Sequence, residues 1–359
     1  MSLRAYAVIA AASSFCFAPS NAYAAESCDD VLGSARGLCV AYCEAQECHL
    51  GAGNGRSCER LAANYARITG GGELPCEQEP ACEPAETMIF YGASESGGGL
   101  FRANGDGGDA GFILEPDGTF YQGVGVDSLA ERVYYSTWGL GIESANFDGS
   151  DRAHVSDDVA ESIDVDAEAG VVAYATWNSV SVMPVGGGGG TTVVGGDWSA
   201  EIMDVSVDPQ EQMIYFSWMD YNSYGCKVDR VGYDGSARTT VWSGDDYGFC
   251  HGSPLAVDPV HRQLYFEDWH QADGSWQPLR RMDLDTGAVS TFTIDSYSGR
   301  SIQVDPYEGF LYFRSSPNNL SRVRLDGTGE EELLDWPAAH GSISRNAGLF
   351  LGGAQCAAQ

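Results

Sequence analysis

A valine–aspartate pair recurs along most of this chain. Seven residues after each aspartate, a tyrosine or alanine opens a β-rich run. The aspartates are Asp127, Asp166, Asp208, Asp258 and Asp305, and the openers are Tyr134, Ala173, Tyr215, Tyr265 and Tyr312. Ser344 to Leu351 keeps the spacing without the acid. Val257-Asp258-Pro259 shows the local logic: a strand, a tight Asp-Pro turn, then a second strand through Leu264-Tyr265-Phe266. Successive anchors lie roughly 40 to 50 residues apart, the period of propeller blades in β-rich sequence.

Each repeat carries four pieces. An inner strand such as Met203 to Asp208 is followed by an aromatic strand such as Met213 to Trp218. A third strand leads into an Asp-Gly turn, at Asp106-Gly107, Asp148-Gly149, Asp234-Gly235 and Asp326-Gly327. Asp-Gly between strands is a strong hairpin signal, because glycine accepts positive φ. The third repeat has Gly186 to Gly190 in that place. A short outer strand such as Thr239 to Trp242 completes the unit. The first repeat, from Met88, has no Val-Asp strand before it, and an unmatched inner strand stands near Gly341 to Arg345. A C-terminal strand that completes the first blade would hide both sheet edges. The expected fold is therefore all-β, a six-bladed β-propeller over residues 88–356. Leu349-Phe350-Leu351 repeats the aromatic strand once more and keeps a seven-bladed ring as the alternative.

Leu264-Tyr265-Phe266-Glu267-Asp268-Trp269 resembles the Leu-Tyr-Trp-Thr-Asp-Trp of YWTD repeats, the class B repeats of the low-density lipoprotein receptor family. Val257-Asp258-Pro259 and the Leu325-Asp326-Gly327 turn also match that repeat. The resemblance covers residues 87 to 352, and no repeat carries the full motif. Val172 to Trp177 lacks the leading aromatic, and Leu311 to Ser315 lacks the acid. The resemblance implies a six-bladed propeller that binds proteins and performs no catalysis.

Ahead of the repeats, residues 1–24 read as a signal peptide: Arg4, the apolar stretch Ala5 to Phe17, and a small-x-small site at Ala22-Tyr23-Ala24. The expected location is secreted, periplasmic or cell-surface, with no transmembrane segment. Of eleven cysteines, all but Cys16 remain after cleavage, an even number suited to disulfides. Residues 25–82 form a cysteine-rich, mostly helical module in which Cys28, Cys39, Cys43, Cys48, Cys58 and Cys76 are expected to pair. Sequence does not choose among the fifteen pairings six cysteines allow. Residues 83–87 read as a linker. Cys82 and Cys356 flank the repeats and would staple the ring's two ends, and Cys226 with Cys250 would pin a loop of the fourth blade.

The net charge of −32 makes nucleic acid a poor partner, since phosphate binding needs clustered Lys and Arg. A protein or polysaccharide ligand of a monomeric binding protein is the expectation. The recurrent aspartates suit a structural task, accepting backbone N–H bonds at strand ends. Asp164 and Asp204, earlier on inner strands, are the weak metal candidates, with calcium the cation they would suit. Otherwise no cofactor is expected. Trp138, Trp177, Trp218 and Trp269 fall near one rim on four consecutive blades. They form a binding face if exposed, or wedges between blades if buried, and the need for large spacers favours the wedge. No Gly-x-Ser-x-Gly elbow or His-Glu-x-x-His helix is present, and no catalytic residue is assigned. A hydrolase or lyase with a metal in the central channel is the alternative function.

Overall fold

The computed structural model describes residues 83–84, 87–93, 98–115, 121–196, 199–222, 225–244, 254–267, 279–294, 301–306, 308–316, 319–335, 343–350 and 354–355. The signal peptide, the cysteine module, Cys82, Cys250, Cys356 and Trp269 lie outside them.

The described residues form six four-stranded antiparallel sheets. Blade 2 comprises Tyr121–Asp127, Arg132–Thr137, Gly141–Asn146 and Ala153–Ser156, inner to outer. Blade 3 comprises Ser162–Asp166, Val171–Thr176, Ser179–Pro184 and Thr191–Gly195. Blade 4 comprises Ala200–Asp208, Met213–Asp220, Gly225–Gly232 and Thr239–Ser243. Blade 5 comprises Leu255–Asp258, Gln263–Glu267, Leu279–Asp283 and Val289–Phe292. Blade 6 comprises Ile302–Asp305, Phe310–Ser316, Asn319–Arg324 and Glu331–Asp335. Blade 1 takes three strands from the start of the repeats, Met88–Ala93, Gly99–Asn104 and Gly111–Leu114. Its inner strand, Ile343–Phe350, comes from the end.

That last strand settles the blade count. Phe350 pairs with Met88 and Leu349 with Ile89, so the segment that looks like a seventh aromatic strand is the end of the closing inner strand. The ring has six blades, and the seven-bladed alternative fails because the first blade needs this strand to cover its inner edge.

The second strands are buried almost continuously, on both faces. The second strands put Tyr134, Tyr174, Phe216, Phe266 and Phe313 into nearly complete burial. Blade 4 packs on blade 3 through Ile202, Val205 and Phe216 against Ala173 and Val180. Leu264 and Phe266 meet Tyr215 and Val228 across the next junction, and Leu311 and Phe313 meet Tyr265 and Leu279 across the one after. Tyr312 and Leu320 pack on Ile89 and Tyr91, which joins blade 6 to blade 1. Full burial of each such side chain contributes about 1.5–3 kcal/mol. The inner strands of blades 2 and 3 approach each other closely at Gly123. A Cβ on Gly123 would lie 2.9 Å from Ile163 Cγ1 and from the backbone of Ser162, so only glycine fits.

The repeated aspartates do the structural task assigned to them. All five are almost fully buried. Asp127 Oδ1 accepts from Leu129 and Ala130 N–H at 3.0 and 2.9 Å. Asp166, Asp258 and Asp305 accept from the third residue onward at 2.9, 2.8 and 3.0 Å. The second oxygen often reaches the next blade. Asp166 takes Tyr233 Oη (2.8 Å), Asp208 takes Arg262 Nη1 (2.6 Å), and Asp305 takes Thr87 Oγ1 (2.9 Å) across the ring's closure.

The chain divides into two compact units. The described part of the second is a small sheet, Glu83–Pro84 paired with Ala354–Gln355. Glu83 and Pro84, the first two residues of the expected 83–87 linker, form one strand of this sheet.

Candidate functional site

Among the described residues three places can carry chemistry: the inner strands, the end of the ring holding the second-to-third-strand turns, and the clefts between blades. An inner strand has a sheet partner on one side only, and its other edge presents unpaired N–H groups. Asp164 and Asp204 satisfy that edge. Asp164 Oδ2 accepts from Val207 N–H (2.8 Å) and Ser206 Oγ (3.1 Å) of blade 4, and its Oδ1 accepts from Val165 N–H (2.8 Å). Asp204 Oδ1 accepts from Ser162 Oγ at 2.6 Å, and its Oδ2 from Leu255 N–H of blade 5 at 2.8 Å. Burial raises the Asp164 carboxyl to about 6, and its backbone donors pull the other way. Among the described residues no group of three or more His, Cys, Asp or Glu gathers to hold a metal. Both carboxylates accept from backbone N–H groups and serine hydroxyls of neighbouring blades.

The exposed tryptophans sit elsewhere. Trp138 stands on the turn after the second strand of blade 2 and Trp177 on the equivalent turn of blade 3. They are 68% and 44% exposed, and Leu140 is 54% exposed. The wedge reading fails for both tryptophans. The reason is the turn Trp138-Gly139-Leu140-Gly141, whose glycines adopt φ of +90° and +82°. A Cβ on Gly141 would stand 2.1 Å from Ser156 O, so the turn packs backbone to backbone on the connection to blade 3 and its apolar side chains are left outside. That connection brings acidic, exposed Asp157 and Asp158 alongside, with His154 Nε2 at 3.0 Å from Asp157. The Trp177 turn is pinned by Ile202 N–H donating to Trp177 O at 2.8 Å.

Trp218 behaves differently. It is half-buried against the blade 3–blade 4 core, as a wedge would be. Lys227 Nζ lies 4.6 Å from its ring centre and the Arg238 guanidinium 5.6 Å. Arg238 is itself held by buried Asp229 at 2.9 Å. Trp218 and Arg238 line a cleft of about 270 Å³ with Asp220 and Asn222. Cys226, at 6% exposure beside Met203 and Met219, is disulfide-bonded.

No protein-family model and no curated protein matches the chain. Solved structures do. A chain of a nidogen/laminin complex aligns with TM-score 0.60 at 15% identity, over 74% of this chain and 98% of that one. TolB from Acinetobacter baumannii aligns with TM-score 0.56 at 13% identity, over 81% and 71%. A gluconolactonase from Xanthomonas campestris aligns with TM-score 0.50 at 18% identity, over 66% and 84%. The chain shares their fold. At these identities the likeness extends to architecture alone, and a propeller hosts binders and enzymes alike.

Sequence reasoning placed Trp138 and Trp177 at one rim but missed Leu140 and the acidic pair Asp157-Asp158 beside them. The signal was present in Gly139 and Gly141, which bracket Leu140 and tighten the turn. The cation pair around Trp218 had no sequence signal, since Lys227 and Arg238 reach it only through strand register, Lys227 lying directly opposite Trp218.

Proposed function

We propose that the chain is an exported, non-enzymatic binding protein of the YWTD-like propeller type that recognises a protein through the end of the ring bearing Trp138, Leu140 and Trp177. The observation that carries this reading is the exposure of two tryptophans and a leucine on pinned turns of adjacent blades. Large aromatics on rigid backbone lose little entropy when they are buried by a partner. Asp157 and Asp158 beside them, and the net charge of −32, favour a basic partner surface. A polysaccharide is the other ligand such tryptophans suit. Export rests on the N-terminal sequence. Among the described residues no helix is long and apolar enough to cross a membrane.

The test is capture from the source cell's surface fraction by wild-type protein and by the double variant W138A/W177A. Loss of the same recovered partner with the variant supports the reading, and equal recovery by both removes it. A channel-centred hydrolase or lyase has fold likeness to the gluconolactonase in its favour, but Asp164 and Asp204 are spent on backbone. A stoichiometric, tightly held divalent ion in the purified protein would revive it.

A further inference from the structure

A cleft of about 560 Å³ opens between blades 5 and 6, at the end of the ring opposite the exposed tryptophans. The neighbouring junctions show why it is open. In every blade with a motif aspartate, the residue four positions later sits at that end of the ring, and each adopts positive φ: Glu131, Gly170, Gln212, Arg262 and Gly309. Arg262 of blade 5 fills the junction behind it, donating to Asp208 and Glu211 of blade 4 at 2.6 Å each. Gly309 of blade 6 has no side chain to do the same for Asp258. A Cβ built on Gly309 meets nothing within 4 Å.

A second difference between blades sets the chemistry. The third-strand residue opposite the position seven after the motif aspartate is Ser144 in blade 2, Val182 in blade 3, Arg230 in blade 4, Arg281 in blade 5 and Arg322 in blade 6. The residue three after the motif aspartate tracks it. Alanine, at Ala130 and Ala169, accompanies the uncharged Ser144 and Val182, and glutamate, at Glu211 and Glu308, accompanies arginine. Glu211 accepts from Arg230 at 3.2 Å, and Glu308 feels the Arg322 charge. Blade 5 breaks the rule. It keeps the arginine, Arg281, but has His261 in place of the glutamate. Half-buried Arg281 donates to Leu325 O at 3.3 Å and makes no ion pair with a carboxylate among the described residues. His261 Nδ1 is engaged by buried Asp258 at 2.9 Å, which leaves Nε2 as its other polar atom. Arg281, His261, Gln263 and Ser290 line the cleft with Val289 and Leu325 as apolar wall, and its two carboxylates are already engaged, Asp258 by His261 and Asp283 by the N–H groups of Asp285 and Thr286.

We propose that this cleft is a binding site for a carboxylate-bearing ligand, whose carboxylate takes at Arg281 the place that Glu211 takes at Arg230. A planar guanidinium with no carboxylate of its own favours a two-oxygen anion. The hydroxyl and amide of Ser290 and Gln263 suit a hydroxylated ligand body, and the volume admits a molecule of sugar size. The site is independent of the tryptophan-bearing end.

Calorimetric titration of the full chain tests it with three probes: D-glucuronate, D-glucose, and an acetylated, amidated glutamate tripeptide. Two variants accompany them. R281A removes the guanidinium. G309R restores the side chain that blade 5 has in Arg262, at a backbone conformation arginine already adopts there, and fills the cleft. Binding of glucuronate or of the glutamate peptide, weakened about tenfold or more by R281A and abolished by G309R with an unchanged circular dichroism spectrum, supports the site. Which of the two binds says whether the carboxylate is a free acid's or a protein's. Glucose binding as well as glucuronate, G309R binding as wild type does, or no binding of either carboxylate probe would overturn it.

Discussion

Arg262 Nη1 stands 2.6 Å from Asp208 Oδ2, a bond from one blade to the one before it, with Asp208 wholly buried. The same guanidinium reaches Glu211 at 2.6 Å and Asp285 at 3.3 Å. Cooperativity of the ring rests on such joints together with the apolar clusters they close over. Removing the arginine leaves a buried carboxylate without its cation. R262A is expected to lower unfolding free energy by about 3 kcal/mol, and R262K by less, since an ammonium makes one contact where the guanidinium makes three. Urea denaturation measures both. Equal stability of R262A and wild type would show that the joint contributes nothing.

Asp305 has two tasks, fixing the turn at Glu308 N–H and holding Thr87 Oγ1 at the ring's closure. D305A should cost about 1–3 kcal/mol, because the part-buried Glu308 N–H and the buried Thr87 hydroxyl lose their acceptor. T87V removes only the closure bond and should cost about 1 kcal/mol or less. If D305A costs no more than T87V, the turn-fixing bond carries no weight.

The Asp164 carboxyl supplies a pH signature. Its folded value of about 6 lies above the ordinary aspartate value, because burial disfavours the charged form. The folded state therefore favours the protonated acid. The contribution to stability is present at low pH and is lost as pH rises from about 4 to about 6. Relative to D164N, wild type should lose on the order of 2 kcal/mol across that window and stay level above it. Urea titrations at pH 4, 5, 6 and 7 check this. A difference between the two proteins that does not vary with pH contradicts it.

Register in the small sheet bears on the expected staple. Glu83 pairs with Gln355 and Pro84 with Ala354, and in sequence Glu83 and Gln355 are the neighbours of Cys82 and Cys356. Non-reducing peptide mapping is expected to recover Cys82 joined to Cys356, and Cys82 joined to any other cysteine contradicts the staple.

Much of the ring could be read in the chain because the repeat is built from local rules. The Asp turn, the aromatic second strand and the Asp-Gly turn each act within a few residues, so their spacing alone counts the blades. Leu349-Phe350 misled because an inner strand and a second strand can both carry a short apolar run, and only pairing with Met88 and Ile89 tells them apart. Exposure of Trp138 and Trp177 was not legible. Both lie at strand ends, and whether a neighbouring connection covers them depends on the Gly141 contact with Ser156. Asp164 and Asp204 were placed on inner strands, but their partners, such as Val207 and Leu255, come from other blades. The open cleft at Gly309 becomes visible only when the blades are laid over one another.

The proposed function places recognition at the end of the ring carrying Trp138 and Trp177. Photo-cross-linking tests it most directly, with a benzophenone amino acid placed at Trp138 or Trp177 and, for comparison, at the exposed residues Leu129 or Val260 of the opposite end. In the source cell's surface fraction, adducts to a discrete partner are expected from positions 138 and 177 and not from 129 and 260. Adducts from 129 and 260 alone would contradict the claim.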